Sequence, residues 1–276
     1  MTRSIRQATR RWLNMDDHRR GIKAQAGRAG LLLVASMAFA GCQFGQLPNQ
    51  EDVEASAVGP EALQKRLGRA RSTVDDRILR RQLSPEEGSE ILRDYVVDLL
   101  ADVDVKAVAP DEAWMYGDLF RQIPDWQATY DLYSVAVEHA ESEDRRVNDS
   151  LRLAEATAEL GDVEEGIRLV RSTFDASAGG KGPILMATLY EFLPSARRQG
   201  MELQLAALLE DAIDQHLMTV VDPSEDAGRR FLISREHHVR EAWSQIIILY
   251  HAADEEERAL GATVRYLEMM RRFATL

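Results

Sequence analysis

Three stretches carry side chains whose types and spacing could do chemistry. The first is Cys42, the only cysteine in 276 residues, set directly behind the apolar run LLLVASMAFAG of residues 31–41. A lone thiol cannot close an internal disulfide, so the fold owes nothing to disulfides, and the plain reading is a buried, inert cysteine at the end of a core helix. The second stretch is Glu236-His237-His238-Val239-Arg240-Glu241. His237 and Glu241 stand four apart, which turns both toward one ion on a helix, and His216 or His251 could bring a third ligand. The order is neither H-E-x-x-H nor E-x-x-H, and Arg235 and Arg240 make the stretch a charged, solvated face. The third, Ser177-Ala178-Gly179-Gly180-Lys181-Gly182-Pro183, has proline where a phosphate loop needs a hydroxyl and follows no strand, so it is a connector. No G-x-S-x-G is present. The chain therefore reads as non-enzymatic, with no catalytic, cofactor-binding or metal-binding residue assigned. The competing reading is a metal-dependent enzyme using His237, His238 and Glu241.

Ahead of the apolar run, residues 1–30 hold eight basic side chains against Asp16 and Asp17. Ala29 to Ala40 is uncharged and much shorter than the ~20 residues of a membrane-spanning helix, so basic flank plus short apolar core reads as an export signal. The run closes as Phe39-Ala40-Gly41-Cys42, which resembles the lipobox of bacterial lipoproteins, with Phe39 in place of the usual Leu. The resemblance implies cleavage after Gly41 and a Cys42 acylated by diacylglycerol and palmitate. Residues 1–41 are then a signal peptide, and Met15, inside the long flank, is the expected true start. Gln43 rather than Asp after the lipidated residue implies the periplasmic face of the outer membrane.

Without the signal, residues 42–276 carry a net charge of about −18. That acidity repels phosphate backbones and excludes nucleic acid as a partner. Residues 42–60 are polar, with glycine and proline at both ends and no periodicity. They form a flexible tether whose random-coil span is roughly 25 Å. Leu63, Leu67, Ala70, Val74 and Ile78 then recur at helical spacing, and Ser84-Pro85-Glu86-Glu87 opens a second helix, making 61–107 a hairpin. Lys65, Arg66, Arg69, Arg71, Arg77, Arg80 and Arg81 make its first helix basic, as a solvated face or as a contact for anionic head groups or the protein's own acidic surface.

From residue 108 to 276 the spacing predicts helices of about 12 to 25 residues with no β-branched alternation, so the fold class is all-α. Turn signals at Pro124-Asp125, Gly161-Asp162, Gly200 and Asp254 lie about 37, 38 and 54 residues apart, the last interval long enough to hold an insertion. Ala113, Tyr116-Gly117, Phe120, Pro124-Asp125-Trp126, Thr129, Tyr133 and Ala136 resemble a tetratricopeptide repeat. A looser copy runs from Leu153 to Thr173. A third hairpin, from Pro183 to Met218, has its first helix interrupted by Pro194, and a fourth carries Ile247 where the family has a small residue.

The resemblance implies helical hairpins stacked as a tetratricopeptide-like solenoid, with the first helix of each hairpin lining a concave face. On that alignment the packed side of the best repeat is Ala113, Tyr116, Gly117 and Phe120. Trp114, Asp118 and Arg121 then face the concavity, and Asn148, Leu151, Glu155 and Glu159 are exposed beside them. The expected protein is a membrane-anchored scaffold or adaptor that holds another envelope protein or peptide carrying apolar and basic residues. A purely structural oligomer subunit is the further alternative.

Overall fold

Proline and serine set the first helix boundaries. The computed structural model describes residues 59–176, 184–197 and 200–273, and among these every regular element is a helix. The chain divides into two compact units at Asp104 and Val105. In the first, α1 (Pro60–Leu79) and α2 (Pro85–Leu100) form a hairpin. Pro60 begins α1, where a missing N–H costs nothing. Ser84 caps α2 reciprocally: its Oγ accepts from the Glu87 N–H at 3.1 Å, and the Glu87 carboxylate accepts from the Ser84 N–H at 2.8 Å. The predicted stripe of Leu63, Leu67, Ala70 and Val74 is buried.

The second unit begins with a 3-10 turn at Val105–Ala107 and continues as α3 (Ala113–Phe120), α4 (Trp126–Glu138), α5 (Glu143–Glu159) and α6 (Val163–Ala176). Three short segments, Ile184–Ala187, Thr188–Phe192 and Leu193–Ala196, run on as one helical stretch, α7. Then come α8 (Glu202–Met218), α9 (Asp226–Ala252) and α10 (Glu256–Phe273). From α3 to α6 and again from α8 to α10, each helix packs on the next, while α7 packs against α5, α6 and α8. Side-chain caps start three of them: Asp125 accepts from the Ala128 N–H, Ser142 from that of Arg145 and Asp162 from that of Glu165.

Helix ends follow the turn signals in the sequence. After α5, Gly161 takes φ 99°, and the Asp162 N–H reaches back to the Thr157 carbonyl at 3.1 Å. The same closure recurs after α9, where Asp254 takes φ 57° and the Glu255 N–H meets the Tyr250 carbonyl at 2.9 Å. In α7 the middle segment is a π-helix, with the Leu193 N–H bonded to the Thr188 carbonyl. The widened turn lies immediately before Pro194, whose ring would otherwise collide with the carbonyl four residues back. Pro194 therefore reshapes the helix without ending it.

Small residues decide how close the helices come. A Cβ on Gly117 would lie 2.8 Å from the ring of Tyr133, which is fully buried and reaches under α3 from α4. Gly166 plays the same part against Phe192, at 2.7 Å. One apolar cluster then runs from Val147 and Leu151 of α5 through Leu205 and Leu209 of α8 to Ala259 and Ala262 of α10. The long interval before Asp254 is explained by residues 219–225 and by α9 itself, which at 27 residues is the longest described helix.

Asp254 holds a left-handed conformation that costs an L residue about 1 kcal/mol. Asp254→Gly should raise the melting temperature by about 2–4 °C, measured by circular dichroism. An unchanged or lower value would show that the Asp254 side chain contributes something the turn needs.

Candidate functional site

Glu155 and Asp118 are the starting points, because both put charge next to apolar packing. Glu155 lies on the face of α5 toward α3, its side chain 10% exposed, and accepts a hydrogen bond from Arg121 Nε at 2.6 Å. Asp118 accepts one from the Tyr133 hydroxyl, also at 2.6 Å. Burial, then the neighbouring Asp118 charge, pushes the Tyr133 phenol far above its ordinary range, so this hydroxyl stays a donor. Both ends of Arg121 are engaged, since its other side approaches Glu191 at 3.7 Å.

The pattern continues along the odd-numbered helices. Arg152 of α5 is bonded to Glu191 of α7, and Ser195 of α7 donates to Glu159 of α5 at 2.7 Å. Burial, then repulsion from Arg121, holds the Arg152 guanidinium below its ordinary value. At the other edge, Arg145 lies over the indole of Trp114, 3.4 Å from the ring centroid, and is paired with Asp149 at 2.9 Å. Burial raises the Asp149 carboxyl, outweighing the pull of Arg145. Between α7 and α9 the Tyr190 hydroxyl lies 3.2 Å from His238 Nδ1, and Arg197 donates to Gln245 at 3.2 Å. The even-numbered helices have their own links: Arg171 to Asp211, Gln215 to the Phe174 carbonyl, and Arg265 to Glu210.

Of the seven predicted partner-facing residues, Trp114, Asp118, Arg121 and Glu159 are half-buried members of this row, and Asn148 is exposed beside it. Leu151 and Glu155 are not open to solvent as the alignment predicts, being 6% and 7% exposed. For Glu155 the reason is the Arg121 side chain lying on it, and for Leu151 it is register. Val147, Leu151, Ala154 and Ala158 form the core stripe of α5, which rotates the polar stripe onto Arg145, Arg152, Glu155 and Glu159. Arg145, Arg152, Glu191 and Ser195 are functional candidates that the sequence reading missed. The first two were legible as a polar series three and four apart with Glu155 and Glu159. Glu191 and Ser195 were not, since their facing depends on the π-turn.

The metal reading finds no ligand set. His237 and Glu241 approach only to 3.8 Å on an exposed face, His238 turns toward Tyr190, and His251 is bonded to Glu256. Among the described residues no group of three or more His, Cys, Asp or Glu side chains could hold an ion. His216 sits inside instead, 3% exposed, its ring against Phe231 and its Nε2 without a partner. Burial, then the nearby Arg235 and His238, push it down to about 4. Cys42 and the 177–183 stretch lie outside the described residues. Comparisons with protein-family models, with curated proteins and with solved structures find no match.

Removing Arg121 would strand the Glu155 carboxylate. Arg121→Ala should cost about 2 kcal/mol in urea denaturation, and adding Glu155→Gln should recover at least half of it. Equal losses in the single and double variants would mean that the pair contributes through packing alone. For His216 the folded value lies below the unfolded 6.5, so the neutral ring stabilises the fold above that pH. That contribution is lost as pH falls through the window from about 6.5 to about 4, to a limit of about 3 kcal/mol. His216→Phe should flatten this part of the stability-versus-pH curve, and identical slopes for the two proteins would contradict a buried neutral imidazole.

Proposed function

We propose that this chain is a lipid-anchored, non-enzymatic helical-repeat scaffold that holds an extended segment of another envelope protein on the face shared by α3, α5, α7 and α9. The carrying observation is the polar row: side chains of successive odd-numbered helices are bonded to one another from Trp114 to Gln245. In a tetratricopeptide-like winding, the first helices of the hairpins form the concave side, so this row would line the groove. The packing of each hairpin on the next, and the fit of Gly117 against Tyr133 where the repeat pattern asks for a small residue, support the reading.

The chemistry of the row describes its partner. From α3 to α7 it holds five carboxylates (Asp118, Asp149, Glu155, Glu159, Glu191) against three guanidiniums (Arg121, Arg145, Arg152), so the surplus is negative. Internal pairing keeps these groups oriented before a partner arrives, which lowers the entropy cost of binding. A segment bearing lysine or arginine beside an aromatic or aliphatic residue meets the surplus acids and the half-buried Trp114 ring. Acylation at Cys42, with the 42–60 tether, would keep this groove close to the periplasmic face of the outer membrane.

A photoreactive residue at Asn148, beside the row, should give a discrete adduct in intact cells that is lost on Trp114→Ala. The same residue at exposed Glu164 on α6 should give none. In the same cells, Cys42→Ala should move the chain from the membrane pellet to the soluble fraction. Equal adducts from both positions, or none from Asn148, would contradict the groove, and unchanged pelleting would contradict the anchor.

A further inference from the structure

Within the second unit, the last helix has a face that none of the described residues covers. α10 buries Ala259 and Ala262 against α9, yet Leu260, Val264 and Leu267 on the opposite side are 67%, 48% and 49% exposed. These three are spaced four and three apart, and one further step in each direction reaches Glu257 and Arg271, both exposed. The stripe therefore reads Glu257, Leu260, Val264, Leu267, Arg271, alternating by three and four over four turns. That alternation is the seam of a two-helix packing. Gly261 lies beside it, and a Cβ added there would meet nothing within 4 Å.

We propose that this stripe is a self-association surface, on which α10 of one molecule packs antiparallel against α10 of a second copy around a two-fold axis at Val264. The argument is the symmetry of the stripe about its centre. Antiparallel pairing sets Glu257 against the copy's Arg271, Leu260 against its Leu267, and Val264 against Val264. Three apolar layers are then closed at each end by an ion pair. A parallel pairing would bring Glu257 onto Glu257 and Arg271 onto Arg271, each repulsive and unpaired. Opening Gly261 to the copy's Leu267 gives that side chain a recess at the point where the backbones come closest.

Charge elsewhere agrees with a second copy as the occupant. Residues 42–276 are strongly acidic, which separates copies in general, but α10 carries four arginines against three glutamates. Two such chains meeting on this helix avoid most of the repulsion that their overall acidity imposes. Among the described residues neither Glu257 nor Arg271 is committed to an ion pair within the chain, so each can be given to a partner without loss. A seam of this length supports micromolar rather than nanomolar affinity, placing assembly under control of local concentration.

The test uses the full chain with Cys42→Ser, which removes the only native thiol. Sedimentation velocity should show a monomer–dimer equilibrium, weakened about tenfold or more by Glu257→Arg or by Arg271→Glu alone and restored to within about threefold by the two together. Val264→Cys should yield a disulfide-linked dimer under mild oxidation, whereas Ile233→Cys, at an 81% exposed position on α9, should not. All four positions are on the surface, so unchanged circular dichroism separates loss of pairing from loss of fold. A chain that stays monomeric to about 200 µM, a double charge swap that fails to restore the dimer, or equal oxidation at 233 and 264 would overturn the proposal.

Discussion

A carboxylate at the edge of an apolar core has to be met by a cation, and Glu155 is met by Arg121 across two helices. This requirement organises the second unit. Once Arg121 is committed to Glu155, α3 has a fixed register on α5, and the approach of Arg121 to Glu191 extends the constraint to α7. Apolar packing alone tolerates rotation of one helix against another at modest cost. Directional bonds between charged groups do not, and here they recur between neighbouring odd-numbered helices.

The apolar part of the unit supplies the stability that these pairs cannot. Gly117 and Gly166 admit Tyr133 and Phe192, and the alanines at 154, 158, 206 and 212 are fully buried at helix contacts. Tyr133 joins the two systems, since its ring is core and its hydroxyl holds Asp118. A polar face built this way is paired internally and pre-set, and it keeps a surplus of carboxylates. The exposed seam on α10 is of another kind, being apolar at its centre and charged only at its ends.

Much of this was legible in the sequence, for identifiable reasons. Helix ends at Gly161 and Asp254 announce themselves because few residue types tolerate a left-handed turn, and Ser84 and Asp125 mark helix starts by their capping chemistry. The packed face of α3, Ala113, Tyr116, Gly117 and Phe120, followed from the repeat resemblance and is buried. The register of α5 did not, because the repeat pattern was aligned on turn residues, and an error of one position moves a side chain by 100° around a helix. Leu151 went inward for that reason, whereas Glu155 stays on the polar stripe and is covered by Arg121. Glu191 was out of reach altogether: the π-turn before Pro194 shifts its facing, and no helical period written on the sequence contains that shift.

The central claim is that the polar row couples the odd-numbered helices rather than decorating them. A double-mutant cycle on Arg152→Ala and Glu191→Ala, followed by urea denaturation, measures this directly. Coupling of about 1 kcal/mol or more in the stabilising sense is the expected result for a partly buried, bonded pair. Additive losses, with a coupling indistinguishable from zero, would mean that the core alone sets the helix register and would contradict the account.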